Sequence, residues 1–311
     1  MQAPQRSALV YGVLAVLLWS PHFYVLESLR REGVPLLVAQ FHCVFWPALV
    51  LGLVLIVSGR ASAISAFKGQ ETHVLALAAV GGYGFWILRA VALEGTGLSH
   101  TRTLFYAAPL AIGLLSVFTS ERADRRGVFA LLIGFIGAVM LAEAQGSGTL
   151  SGSLGAGTAL AALGGAGCWA LFSLLARPLV REEPVLPVAA LVTGIGALCL
   201  LVSCISTGES ILVGFHKISM AQLRTLVLTG FFTVGLMMVC WLKCLGKVSA
   251  AQAGPLWYLG LLFGAMWALA GGWRVSLWWT LGGMVLVILA IRTALADRQR
   301  SAATLSDLIR G

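Results

Sequence analysis

Polar positions in this 311-residue chain gather into short clusters, and between them lie apolar runs of a nearly constant length. A helix needs roughly 17 to 25 such residues to cross the hydrocarbon core of a bilayer. The runs predict helices near 7–29, 34–57, 72–93, 99–119 and 127–143, then near 153–177, 185–206, 221–244, 249–271 and 275–294. The pattern is that of an all-α protein with ten transmembrane helices. Most polar clusters between them are too short to hold a further domain. The longer ones are 145–153 and 207–220, the second reading as a short amphipathic piece on the outer surface.

The pattern then repeats itself. Residues 19–39 align without a gap to 169–189, pairing Trp19 with Trp169, Leu29 with Leu179, Arg31 with Arg181 and Glu32 with Glu182. Farther on, Leu93 pairs with Leu245 and Leu104-Phe105-Tyr106 with Leu256-Trp257-Tyr258, now 152 residues apart. Each copy carries five helices, residues 1–145 and 153–299. Because five is odd, the copies enter the membrane in opposite directions, so the expectation is two inverted five-helix repeats.

Composition agrees with the pattern and removes soluble classes. Hydrophobic residues are 59% of the chain, charged residues 11%, and the mean hydropathy is +0.93, beyond what soluble domains reach. The first run holds Pro21, His22 and Glu27 and has no small-residue cleavage site behind it, so it reads as a retained helix rather than a signal peptide. Of the 21 basic residues, fourteen fall on one side when the N-terminus is placed in the cytoplasm, and seven on the other. This bias predicts both termini inside, in a cell inner membrane. It also accounts for the net charge of +9 without nucleic acid. Within it, Glu121 to Arg126 reads as a solvated cytoplasmic loop. All six cysteines sit in apolar stretches or at their ends, where the thiol behaves as a small hydrophobe and no disulfide framework is implied.

Soluble catalytic signatures are missing. The chain has no phosphate-binding glycine loop, no paired His at metalloprotease spacing, no Gly-x-Ser-x-Gly elbow and no CxxC pair. No enzyme and no cofactor is predicted; the other reading from a different class is a non-transporting scaffold or an intramembrane enzyme.

The candidate functional residues are those that are expensive in a bilayer. Glu27 and Arg89 lie near the outer ends of the first and third helices, as an ion pair, as two separately solvated side chains, or as a gating element. His22 and His42 lie at similar depth on adjacent helices, His22 directly after the kinking Pro21. They read either as neutral imidazoles satisfied by backbone or water, or as contacts for substrate or a proton. Trp19, Trp86, Tyr106, Trp169, Trp257 and Tyr258 are midspan aromatics, away from the interfaces where such rings usually sit. They either pack helices or line a pocket. Trp19 and Trp169 are the leading pair, since the repeat sets them across an axis from each other; Trp46, Trp273, Trp278 and Trp279 read as packing or headgroup anchors. Gly134-x-x-Gly137 and Gly260-x-x-x-Gly264 are close-contact faces, either within the chain or toward a second copy in a homodimer.

Taken together, these features resemble the drug/metabolite transporter superfamily, of the EamA-like type. The carrying residues are the duplicated unit, Leu17-Leu18-Trp19-Ser20, Ala92-Leu93, Pro109, and Ser120-Glu121-Arg122 leading into Gly134-x-x-Gly137. The resemblance implies alternating access through a central cavity lined by helices 1, 3, 4, 6, 8 and 9, a small-molecule substrate, and no cofactor. Many relatives carry Arg where this chain has His42, and end helix 9 on an acidic residue where it has Gly272-Trp273. The aromatic amino acid exporters of the superfamily read Tyr-Leu-Trp-Pro where this chain reads Tyr106-Ala107-Ala108-Pro109, so the Tyr and Pro carry over and the Trp does not. Trp169 matches their aromatic on helix 6. Export of small metabolites, with amino acids or analogues first, is the expectation; the runner-up is a drug or toxic-compound exporter.

Overall fold

The computed structural model describes residues 3–119, 125–145, 155–182, 184–208, 218–272 and 274–310. The predicted joint 145–153, the loop 121–126, the amphipathic piece 207–220 and Trp273 therefore fall wholly or mostly outside the described residues.

Among the described residues, ten helices are long and apolar enough to cross a membrane: α1 Arg6–Arg31, α2 Leu36–Val57, α3 Glu71–Gly95, α4 Thr101–Phe118, α5 Arg125–Ala144, α6 Ala156–Arg181, α7 Val185–Ser206, α8 Met220–Leu245, α9 Ala250–Ala270 and α10 Leu277–Ala294. Each of the ten predicted spans has its counterpart, with ends displaced by a few residues. The surface left to lipid is apolar: Val57, Leu114, Phe118 and Trp278 are each more than two-thirds exposed. Helical geometry runs through Phe85–Phe105 across the α3–α4 junction. Even so, the Thr101 hydroxyl donates to the Ala92 carbonyl at 3.0 Å. Nine residues of straight helix would separate these by about 13 Å, so the chain folds back between them.

Several helices are broken where the sequence gives a reason. α1 turns at Ser20-Pro21 between Ala3–Trp19 and His22–Arg31, because proline lacks the donor the ladder needs. α9 tightens into a 3-10 segment at Gly254–Tyr258, which begins Gly-Pro. Others are not legible as breaks: α3 carries a π turn at Ala78–Gly84 and α8 one at Gly230–Leu236. These segments lie 152 residues apart, the offset of the second part of the sequence repeat. α2 and α7 are likewise matched: both run 22 residues from an extended proline (Pro35, ψ 132; Pro184, ψ 134) to a left-handed glycine, Gly59 at φ 66 and Gly208 at φ 72.

The most extensive packing joins α5 with α10, α3 with α6, α2 with α7 and α1 with α8. Inside a bilayer the association relies on close van der Waals fit, which small residues allow. A Cβ on Gly137 would meet the Gly283 carbonyl at 2.8 Å, and one on Gly283 would meet the Gly137 carbonyl at 2.7 Å, so α5 and α10 cross glycine on glycine. The backbone of Ser276 donates to the Ala144 carbonyl at 2.7 Å, tying the start of α10 to the end of α5. The other faces singled out in the sequence are filled within the chain: Gly134 lies under the Tyr258 ring, Gly260 under Tyr106 and Gly264 under Tyr24.

Candidate functional site

The middle of the bundle is a cluster of stacked rings. Trp19 of α1 stacks with Trp257 of α9 at 5.6 Å and with Trp169 of α6 at 6.4 Å, their planes inclined by 29° and 17°, while Trp169 and Trp257 stack at 4.7 Å. Trp241 of α8 closes on both Trp257 (5.3 Å) and Trp169 (6.0 Å), and Phe85 and Trp86 of α3 complete the other side against Trp19 at 5.6 and 5.9 Å. None of these rings is more than 3% exposed. Helices from both halves of the chain therefore meet on one aromatic core, closed to solvent in this conformation.

A charge sits inside it. Arg89 of α3 is fully buried, with its guanidinium carbon 4.2 Å from the centroid of Phe23, 4.7 Å from Trp19 and 5.8 Å from Trp86. Neither Nε nor either terminal nitrogen has a hydrogen-bond partner. The expected pairing with Glu27, and the reading of Arg89 as a solvated residue at the interface, are both corrected here. Glu27 is held by its own helix, with Arg30 donating at 2.8 Å to both carboxylate oxygens and Arg31 at 2.9 Å. One turn of helix brings those cations to the carboxylate, so none is needed from α3.

His22 belongs to the same cluster. Its ring stacks on Trp19 at 4.9 Å and 10°, and meets Trp86 at 5.7 Å. Its Nδ1 is hydrogen-bonded to Thr233 of α8, within the π turn. The Thr233 hydroxyl already donates its single proton to the Thr229 carbonyl at 2.8 Å. The imidazole must therefore carry hydrogen on Nδ1 and donate it, which turns Nε2 toward the interior with no partner. Gln40 lies at the edge of hydrogen-bond reach of this ring, and the charge of Arg89 acts on it. Gln40 is buried on α2 with both amide atoms unpaired, and the Trp169 indole N–H is unpaired too.

Other predicted residues stand apart. His42 is buried against Phe41 (5.3 Å) and Trp46 (6.3 Å), so the two imidazoles keep different surroundings. Tyr258 donates to the Leu131 carbonyl of α5 at 2.9 Å, and Tyr106 is packed against Gly260; both belong to the seams between α4, α5 and α9. Beside them runs a polar strap that the sequence reading missed: Arg102 donates to the Tyr24 hydroxyl, Tyr24 donates to Gln145, and the Gln145 amide donates to the Leu141 and Leu261 carbonyls. It ties α1, α4, α5 and α9 together. Gln40 was also missed, although a lone amide in the run from Leu36 to Cys43 was a readable signal.

Residues 157–295 match the model of the EamA-like transporter family. An uncharacterized transporter of Bacillus subtilis (strain 168), YyaM, is 26% identical over 235 residues, 74% of this chain and 75% of that protein. The family match and the relative together support this chain as a member of the drug/metabolite transporter superfamily. It is a multi-pass membrane transporter, as the residue pattern predicts. A solved crystal structure of a protein without a stated function matches with a TM-score of 0.73 at 19% identity, over 93% of this chain and 97% of its own, and speaks for the fold alone. The EamA-like segment supplies Trp169, Trp241 and Trp257 to the core. The preceding half supplies Trp19, His22, Trp86 and Arg89, so the transporter's charged group comes from outside the matched segment.

Proposed function

We propose that this transporter exports small metabolites from the cytoplasm across a cell inner membrane, amino acids or their analogues first, by alternating access between two inverted five-helix repeats. The observation that carries the reading is the aromatic core, to which both halves contribute and in which several buried polar atoms lack partners. A scaffold would fill that position with apolar side chains, since each unpaired polar group in a dry interior is costly. Unpaired groups at the meeting of two repeats are instead suited to a ligand that comes and goes.

Support for two repeats related by a pseudo-two-fold axis lies in the packing, and their inversion follows from the odd number of helices in each. Replacing each helix by the one five places along turns the α1–α8 contact into α6–α3, and returns α2–α7 and α5–α10 to themselves. A pseudo-two-fold axis requires this. The basic residues favour both termini in the cytoplasm. The test is a comparison of metabolites released by cells expressing and lacking the protein. Export of a small metabolite that depends on the protein is the expected result; identical profiles across a broad metabolite survey would refute the reading.

A further inference from the structure

The interior of the bundle is unbalanced in charge. Among the described buried residues there are three arginines, Arg89, Arg102 and Arg177, and one carboxylate, Glu27, which Arg30 and Arg31 already neutralise. Arg177 donates from Nε to the Val248 carbonyl at 2.8 Å and Arg102 donates to Tyr24. Arg89 alone of the three has no hydrogen bond from any of its nitrogens, and it is the one at the aromatic core.

A guanidinium is always charged, and removing it from water without an anion or acceptors is strongly unfavourable even after relaxation. The rings of Phe23 and Trp19 offset part of this through their faces. These ring contacts use none of the guanidinium's hydrogen bonds. Its in-plane N–H edge, the part that fits two oxygens of a carboxylate at once, is left unused. Around that position lie further unpaired groups: His22 Nε2, the Gln40 amide and the Trp169 N–H.

We infer that Arg89 anchors the carboxylate of the transported molecule, so that the substrate class is carboxylate-bearing metabolites with an apolar or aromatic body. This rests on the transport reading above. The body lies against Trp19, Trp169 and Trp257, whose ring faces suit planar or aliphatic groups. Organic cations are disfavoured, because no free carboxylate is present among the described buried residues to receive them. This sets the site apart from that of an exporter of cationic drugs. The amine of an amino acid is not required, and removing it leaves recognition intact.

The test uses the full-length protein in detergent and three probes of similar size: 3-phenylpropionate, L-phenylalanine and 2-phenylethylamine. Binding is read from quenching of tryptophan emission and from the shift in thermal unfolding. Both carboxylates should bind at least tenfold more tightly than the amine. Arg89→Gln should lose that preference, and Arg89→Lys should keep part of it, each eluting as folded protein. Equal binding of the amine, absence of binding by both carboxylates, or carboxylate binding unchanged in Arg89→Gln would overturn the anchor. The two readings fail separately: an exported metabolite without an anionic group leaves transport standing and removes the anchor, whereas carboxylate binding that depends on Arg89 without any export does the reverse.

Discussion

Trp19 and Trp169, separated by 150 residues in sequence, lie with their ring planes 17° apart and their centroids at 6.4 Å. Both are 1% exposed, so each is a packing residue as well as a candidate contact for substrate. Replacing either with Ala should cost about 3–5 kcal/mol through the void left behind. Loss of transport in the Ala variants alone therefore decides nothing. Trp19→Phe and Trp169→Phe keep most of the apolar volume and should give near-normal amounts of folded protein with clearly reduced transport. Full transport in both Phe variants would assign the pair to packing.

Gly196 and Gly82 bring α7 and α3 into backbone contact. A Cβ on Gly196 would overlap the Gly82 carbonyl, and neither backbone has a flexible end to move aside. Gly196→Ala should lower stability by about 1–3 kcal/mol, measured as thermal unfolding in detergent. Gly194, on the same helix, has nothing within 4 Å of its missing Cβ. Gly194→Ala should be neutral or slightly stabilising, since alanine is the better helix former.

Topology can be checked with exposed residues at the helix ends. In a cysteine-free background, Glu32→Cys and Gly208→Cys should react with an impermeant thiol reagent added to whole cells. Ser62→Cys and Arg126→Cys should react only after permeabilisation. The reversed pattern would place the termini outside. It would also require the basic residues to be concentrated on the wrong face.

Coupling follows from which groups can carry a proton through the core. No Asp lies in any of the ten helices, and Glu27 is occupied by two arginines. His22 is held with Nδ1 protonated against Thr233. We expect facilitated diffusion or exchange: reconstituted protein should equilibrate its substrate without concentrating it when a pH gradient is imposed. Accumulation that collapses with a protonophore and is lost in His22→Gln or His42→Gln would show that the imidazoles carry protons.

Much of this was readable in the sequence. Ten spans follow from run length, since the bilayer fixes the length of a helix irrespective of its neighbours. The meeting of Trp19 and Trp169 follows from the repeat. Arg89 was misread for a physical reason: an arginine near a helix end can reach the headgroups along its apolar stem, and sequence does not record that rings of α1 and α3 enclose it first. Tyr258 was grouped with Trp257 because they adjoin, yet the 3-10 segment there turns it toward the Leu131 carbonyl. The π turns were invisible because their residues, Ala78 to Gly84 and Gly230 to Leu236, are as compatible with regular helix as with the wider turn.

Those two wide turns bear directly on Arg89. Counting by the 152-residue offset, Arg89 in α3 corresponds to Trp241 in α8, and each lies five residues beyond the end of its π turn. A regular α-helix advances about 100° per residue, so one surplus residue rephases everything after it by about that much. Without the insertion, Arg89 would be aimed well away from Trp19, and Trp241 well away from Trp257. Insertions at equivalent positions thus point both side chains into the same aromatic core, but one delivers a cation and the other a ring. For the carboxylate carriage proposed above, two matched turns would frame a site with a head end at the cation and a tail end at the ring.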